Sequence, residues 1–238
     1  MKTNEIKICG ITDLSIANFC IDNDADYLGF VSYENSPRNI SFRNSKNIIA
    51  RLLKPTNTVA VTVNAKIDNI KEIEDAGFDY IQCHGSESFD YLATIKKITN
   101  LKIIKAFGIS SQKDLIKINS YKDLCDFFLL DAKPNDSEMP GGNAKSFDWD
   151  ILTNQKLEKE FFLSGGLYIY NLEIALKNNI TSFFDVSSSV ESSPGVKDKS
   201  KIKEFIGKVE YITIEEIKNS LIFQEHTYLQ SHHSNLYR

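Results

Sequence analysis

The sequence predicts an α/β protein built as a single-domain (β/α)8 TIM barrel, and three observations lead to that prediction. Eight short apolar runs rich in β-branched and aromatic residues recur along the chain, as expected for strands buried on both faces of a parallel sheet. A segment with helical spacing follows each run. The 238 residues suit eight such units, and no GxGxxG or GxxxxGK[ST] motif follows a run. A barrel is therefore favoured over a doubly wound nucleotide-binding sheet.

The eight predicted strands are short and continuous, and they are taken here in chain order. They run from Ile6 to Ile8, Tyr27 to Val31, Val59 to Val63, Tyr80 to Cys83, Ile103 to Phe107, Phe127 to Leu130, Phe161 to Leu163 and Phe183 to Val186.

Helices are predicted between the strands by apolar stripes and by start signals. Thr12-Asp13 and Ser41 are typical residues at a helix N-terminus. Three segments carry clear stripes of period 3.6: Leu14, Ala17 and Ile21; Leu172, Ala175 and Leu176; and Ile202, Phe205, Ile206 and Val209.

Composition and charge limit the classes of partner. The net charge of −4 gives no reason to expect nucleic acid. No apolar run approaches ~20 residues and no signal-peptide pattern is evident, so we expect no membrane span and a cytoplasmic protein. The four cysteines lie far apart and form no CxxC pair, which fits a reduced compartment.

Polar residues directly after the predicted strands are the candidates for chemistry, because a barrel builds its active site from the strand C-terminal ends. Cys9 ends the first strand. It is either a base that takes a proton from carbon or a small buried hydrophobe. Asp131 ends the sixth strand. It is either an acid whose environment favours the protonated form or a residue that caps its loop.

Two neighbouring loops indicate a phosphate site. Gly165 and Gly166 follow the seventh strand and precede a helix, whose first N–H groups favour an anion. Ser187 and Ser188 follow the eighth strand. Each loop alone could be an ordinary turn, but the pair lies where barrels often bind phosphate, so a phosphorylated small molecule is the expected ligand.

Two further residues have both a functional and a structural interpretation. Arg38 lies in the long connection after the second strand and suits a carboxylate clamp, although surface arginines are commonly solvated. His84 follows the fourth strand, where a hydrogen-bonded structural role is favoured over that of a base. Residues 132–147 form a second long connection, of the kind that often serves as a lid.

Together these motifs resemble the phosphoribosylanthranilate isomerase family over roughly residues 5–210. The matching segments are KICGIT (7–12), GF (29–30), SPRNIS (36–41), IQCHG (81–85), IKAFGIS (104–110), LLDAK (129–133), the 141–149 segment that ends in FDW, LSGGL (163–167), DVSS-x-VE (185–191) and PGVKD (194–198).

The resemblance implies a role for each candidate residue. Cys9 would be the general base and Asp131 the general acid of an Amadori rearrangement in tryptophan biosynthesis. Arg38 would contact the anthranilate carboxylate, and Asp185 would face the substrate. Phosphate would bind at Gly165, Gly166, Ser187 and Ser188. No cofactor or metal is expected, and the chain is expected to be a monomer or a weak homodimer.

Two departures and two rival interpretations accompany the resemblance. Ser189 and Ala144 stand where the family usually has glycine, so altered affinity or loop closure is expected rather than inactivity. The related isomerase of histidine biosynthesis uses two aspartates and resembles a duplicated half-barrel. It is disfavoured because the first strand of this chain ends in Cys9, not in an aspartate, and because the sequence shows no internal repeat. A non-catalytic binder of phosphorylated metabolites is disfavoured by the presence of Cys9 together with Asp131.

The sequence predicts a barrel domain over residues 1–211 and a C-terminal extension over residues 212–238. Ile214, Ile217 and Leu221 form a short helical stripe there, followed by a segment expected to be disordered. Packing on the outside or bottom of the barrel is favoured over an interface with another chain.

Overall fold

The computed structural model describes residues 4–133, 147–153, 157–178 and 180–213. Within these residues, eight parallel strands close into a barrel in sequential order, with β8 paired to β1. Every predicted strand overlaps an observed strand, although several bounds differ by one or two residues, and the predicted fold class is confirmed. The strands are β1 (Glu5–Cys9), β2 (Tyr27–Ser32), β3 (Asn57–Thr62), β4 (Tyr80–Cys83), β5 (Lys102–Ile109), β6 (Phe127–Ala132), β7 (Phe161–Leu163) and β8 (Phe183–Val186).

Helices surround the barrel, and the first two begin at the predicted signals. The Asp13 side chain accepts a hydrogen bond from the N–H of Ile16, and Ser41 accepts one from that of Asn44, which satisfies N–H groups that lack an intrahelical acceptor. The helices are α1 (Leu14–Asp22), α2 (Phe42–Ile49), α3 (Asn69–Asp75), α4 (Phe89–Ile98), α5 (Gln112–Ile118), α6 (Asp150–Thr153), α7 (Ile169–Lys177) and α8 (residues 199–213).

The N-terminal end of the barrel interior is closed by an aromatic layer. Tyr27, Tyr80, Phe127 and Phe183 come from the even-numbered strands, as expected when alternate strands contribute to one layer. Their rings are in contact, with centroids 5.1 Å apart between Phe127 and Phe183 and 5.6 Å apart between Tyr27 and Tyr80. This packed floor leaves the opposite end, where the strands terminate, for polar side chains.

Two features follow the last barrel strand. A short hairpin of β9 (Glu191–Ser193) and β10 (Val196–Lys197) leads into α8. At the end of α8, Ile212 is buried in the core between barrel and helices, and the Thr213 hydroxyl accepts a hydrogen bond from Asn4. The stripe predicted beyond Ile212 and the Ala144 position lie outside the described residues. No helix among the described residues is long and apolar enough to cross a membrane.

Candidate active site

A pocket opens at the C-terminal ends of the strands. One wall is apolar and is formed by Val31, Val61 and Val63 together with Tyr33. Five of the predicted site residues also line it: Cys9, Arg38, Asp131, Asp185 and Ser187.

Cys9 is the last residue of β1 and points inward, with 7% of its surface exposed. Its backbone carbonyl accepts a hydrogen bond from the Ser187 hydroxyl at 3.0 Å, which fixes the strand end. Burial raises the pKa of the Cys9 thiol, while the positive charges of Lys7 and Lys197 oppose that rise. The thiol therefore needs those cations to ionise and act as a base.

Asp131 lies across the pocket mouth at the end of β6. One of its carboxylate oxygens accepts the N–H of Ala132 at 2.8 Å, and the other lies 3.4 Å from His84 Nε2. His84 Nδ1 lies 2.7 Å from the side-chain amide nitrogen of Gln82. With the amide nitrogen of Gln82 as donor, Nδ1 accepts, and this arrangement is compatible with a neutral imidazole whose proton lies on Nε2, facing Asp131.

Asp185 lines the pocket and is held in place by two partners. Its Oδ1 accepts a 2.7 Å hydrogen bond from the ammonium of Lys7, which is fully buried. Its Oδ2 accepts a 3.0 Å bond from the Ser164 hydroxyl. Burial opposes the charged form of Lys7, but Asp185 and Cys9 outweigh it and raise its pKa. Lys7 is thus a cation within the barrel.

Arg38 is fixed by Glu191 in a bidentate ion pair. Arg38 Nε lies 2.7 Å from Glu191 Oε1, and the terminal NH2 nitrogen lies 2.8 Å from Oε2. Lys197 Nζ also bonds Glu191 Oε1 at 2.7 Å and reaches the carbonyl of Ser187 at 3.0 Å. Arg38 is 7% exposed, so it is not the solvated surface residue of the alternative interpretation.

The loops after β7 and β8 are joined to each other. Gly165 and Gly166 both have positive φ, of 78° and 62°, which favours glycine. A Cβ on Gly165 would lie 2.6 Å from Asp131 Oδ1, so this glycine also makes room for the carboxyl group. The Ser189 hydroxyl donates a 2.6 Å hydrogen bond to the Leu167 carbonyl, and thereby links the two loops.

The structure thus brings five of the eight predicted site residues into one pocket. Gly165, Gly166 and Ser188 belong to the flanking loops and do not line it. No role was predicted from the sequence for Lys7, Gln82, Ser164, Glu191 and Lys197. All five lie inside motifs that were recognised, but one sequence gives no measure of which motif residues meet in space.

A metal centre finds no support in the described parts of the chain. There, no group of three or more His, Cys, Asp or Glu side chains is arranged to hold a metal ion.

The chain is similar to known proteins over most of its length. The family model of N-(5'-phosphoribosyl)anthranilate isomerase matches residues 6–208. The protein of that name from Agrobacterium fabrum is 42% identical over 207 residues, which cover 86% of this chain and 94% of the relative. The Rhizobium meliloti relative is 38% identical over 88% of this chain and 98% of its own length.

Solved structures of proteins with this name have the same fold. The crystal structure of the Thermotoga maritima isomerase has a TM-score of 0.78 and 33% identity, over 87% of this chain and 98% of that one. A complex of such an isomerase with reduced 1-(o-carboxyphenylamino)-1-deoxyribulose 5-phosphate has a TM-score of 0.75 and 32% identity over the same shares of the two chains. The chain therefore belongs to the N-(5'-phosphoribosyl)anthranilate isomerase family.

Proposed function

We propose that Cys9 and Asp131 are the base and the acid of the Amadori rearrangement that this chain, as a member of the family, catalyses in tryptophan biosynthesis. The substrate is N-(5'-phosphoribosyl)anthranilate and the product is 1-(2-carboxyphenylamino)-1-deoxyribulose 5-phosphate. The observation that carries the assignment is that both side chains line one pocket at the C-terminal mouth of the barrel.

The two groups divide the proton transfers between them. Protonated Asp131 gives its proton to the furanose ring oxygen, and the ring opens to an iminium ion. The Cys9 thiolate then removes the proton from C2', which leaves an enolamine. Return of that proton to C1', with loss of the C2' hydroxyl proton to Asp131, gives the ketone and restores both groups. General acid–base steps of this kind contribute ~10²–10⁴-fold each.

The ends of the substrate suit the remaining groups. Arg38 has five N–H donors, and those not held by Glu191 are free to bind the anthranilate carboxylate. Gly165, Gly166, Ser187 and Ser188 would bind the phosphate near the start of α7, where helical N–H groups lack intrahelical acceptors. Asp185 retains lone pairs beyond those used by Lys7 and Ser164, so it can accept a substrate hydroxyl. The chemistry needs no cofactor, since the iminium ion itself is the electron sink.

The assembly state and the compartment belong to the same proposal. The chain would act in the cytoplasm as a monomer or a weak homodimer. A Thermotoga maritima relative is described as dimeric, with monomers generated from it. Light scattering of the purified protein over a range of concentrations would measure the mass directly.

Steady-state turnover of phosphoribosylanthranilate tests the proposal. Wild-type protein is expected to form the aminoketose, and Cys9→Ser is expected to lose most turnover, because a hydroxyl is a far weaker base than a thiolate. Cys20→Ser, which changes a buried cysteine on α1, is the matched control and should retain activity. Asp131→Asn should lower kcat and leave binding of a product analogue nearly unchanged.

Three results would contradict the proposal. Full activity of Cys9→Ser would show that Cys9 is not the base. A change in KM alone in Asp131→Asn would show that Asp131 binds substrate but is not the acid. Turnover of the two-phosphate substrate of histidine biosynthesis, without turnover of phosphoribosylanthranilate, would assign the chain to the rival reaction.

A further inference from the structure

Lys7 occupies a position in the barrel interior where a charge is unexpected. It is 0% exposed, and the corresponding inward positions of the other odd-numbered strands are Val59, Ile104 and Phe162. Burial of an ammonium group among such side chains is unfavourable unless the charge is paired. The groups around the Lys7 ammonium must therefore account for its charge.

The Lys7 ammonium is paired with Asp185 and lies near the proposed base. It donates to Asp185 at 2.7 Å, and Cys9 lies two residues further along the same inward face of β1. The Cys9 sulfur and the Lys7 ammonium both lie next to Gly29 of β2. A Cβ added to Gly29 would lie 2.9 Å from Cys9 Sγ and 3.2 Å from Lys7 Nζ. Absence of a side chain at Gly29 thus lets the ammonium and the sulfur approach each other.

Charged groups from five elements form ion pairs in the part of the barrel that holds Cys9. They come from β1, the loop after β2, β8, β9 and β10, and the ion pairs among them are close. The cations are Lys7, Arg38 and Lys197, and the anions are Asp185 and Glu191. Lys7 and Lys197 are the two cations that favour the charged form of Cys9, and Asp185 opposes it. Asp131 and His84 face the same pocket from β6 and from the end of β4.

We propose that Lys7, supported by Lys197, is a positioning residue that favours the thiolate form of Cys9 and keeps its sulfur at the pocket. Lys7 acts through Cys9 without touching substrate. The inference rests on the proposed function in that Cys9 is taken as the base. The positive charge of Lys7 is also first among the influences that oppose the burial-driven rise of the Cys9 pKa.

Alkylation by iodoacetamide tests this directly, because only the thiolate reacts. Cys9 borders the pocket, whereas the other three cysteines are almost fully buried. Burial raises the pKa of Cys20 and of Cys125 to about 12 and also raises that of Cys83. Because only Cys9 of the four lines the pocket, we expect iodoacetamide to reach Cys9 first, and mass spectrometry of the Cys9 peptide gives its rate.

The alkylation rate would be measured from about pH 6 to about pH 10 in the full chain and in Lys7→Met. The midpoint is expected to move up by at least about one unit in Lys7→Met, so that alkylation at a fixed pH near 8 slows about tenfold. Lys105→Met is the matched control. Lys105 is equally enclosed and ion-paired, to Glu87 at 2.9 Å, but lies on β5, opposite β1. That variant should keep the wild-type profile.

A folded Lys7→Met protein whose profile matches that of Lys105→Met would overturn the inference. If Lys7→Met does not fold, Lys197→Met decides. That variant leaves both the Lys7–Asp185 pair and the Arg38–Glu191 pair intact, and a shift in the same direction supports the inference while an unchanged profile overturns it. Turnover is measured separately. A shifted profile in a protein without isomerase activity would refute the proposed function alone.

Discussion

The Arg38 guanidinium holds Glu191 through two parallel hydrogen bonds of 2.7 and 2.8 Å, and both residues are buried. The pair joins the loop after β2 to the hairpin after β8, which are 153 residues apart in the chain. Arg38 is therefore held in one orientation before any ligand arrives, which reduces the entropy lost when it binds a carboxylate. Glu191 determines where the remaining donors of Arg38 point.

The first prediction concerns Arg38 as a carboxylate clamp. Arg38→Met should weaken binding of a product analogue by about 1.5–3 kcal/mol, the contribution of a hydrogen bond between charged groups. Isothermal titration calorimetry measures the change. An analogue without the anthranilate carboxylate serves as the control and should bind both proteins alike. Equal losses for the two analogues would mean that the substitution acts through Glu191 and the fold, not through a clamp.

The second prediction concerns acid stability and Glu191. Burial alone would raise the pKa of Glu191, but Arg38 and Lys197 outweigh it and hold this pKa below the ordinary value of 4.5. Such a carboxyl group stabilises the fold fully above about pH 4.5, and the stabilisation is lost as pH falls through the folded-state pKa. Glu191→Gln should therefore lower stability at neutral pH by about 3–5 kcal/mol, since two buried cations lose their anion.

The Tm of Glu191→Gln should also vary less with pH below about 4.5 than the Tm of the wild type. Thermal melts followed by circular dichroism across this range provide the comparison. Glu204→Gln changes an exposed glutamate on α8 and should follow the wild-type curve. Parallel curves for Glu191→Gln and wild type would show that the ion pair makes no net contribution.

The third prediction concerns His84, whose Nε2 faces Asp131 at 3.4 Å. His84→Leu removes the N–H, whereas His84→Gln keeps an N–H donor at nearly the same reach. We expect kcat to fall at least about tenfold in His84→Leu, equivalent to about 1.4 kcal/mol, with KM nearly unchanged and with activity largely restored in His84→Gln. A similar loss in both variants, accompanied by a lower Tm, would assign His84 a purely structural role.

The fourth prediction concerns Gly29, over which the sulfur of Cys9 packs. A Cβ here would lie 2.9 Å from Cys9 Sγ and 3.1 Å from the Cys9 Cα, so one of the strands must shift. Gly29→Ala should destabilise the protein by about 1–3 kcal/mol and lower kcat, because the base is displaced. At Gly207 in α8 an added Cβ meets nothing within 4 Å. Gly207→Ala should therefore leave kcat unchanged and raise stability by about 0.5–1 kcal/mol. Unchanged kcat in a folded Gly29→Ala would argue against a tightly positioned sulfur.

The sequence by itself determined the barrel and the positions of the chemistry. Apolar runs such as Tyr27 to Val31 can be buried on both faces only in a parallel sheet covered by helices, and the strand C-terminal ends of a barrel must meet at one mouth. Cys9 and Asp131 could therefore be placed at one mouth without coordinates, and the family resemblance added Asp185. These are local and topological properties, which residue type and spacing along the chain are sufficient to define.

Tertiary structure alone decided which side chains became partners. Lys7 meets Asp185 across 178 residues, and Arg38 meets Glu191 across 153. Such pairings depend on how β8 closes against β1 and on how the β9–β10 hairpin returns over the pocket. The electrostatics of Cys9 depend on the same closure, because the burial that raises its pKa and the cations that oppose it are brought together only when the barrel forms.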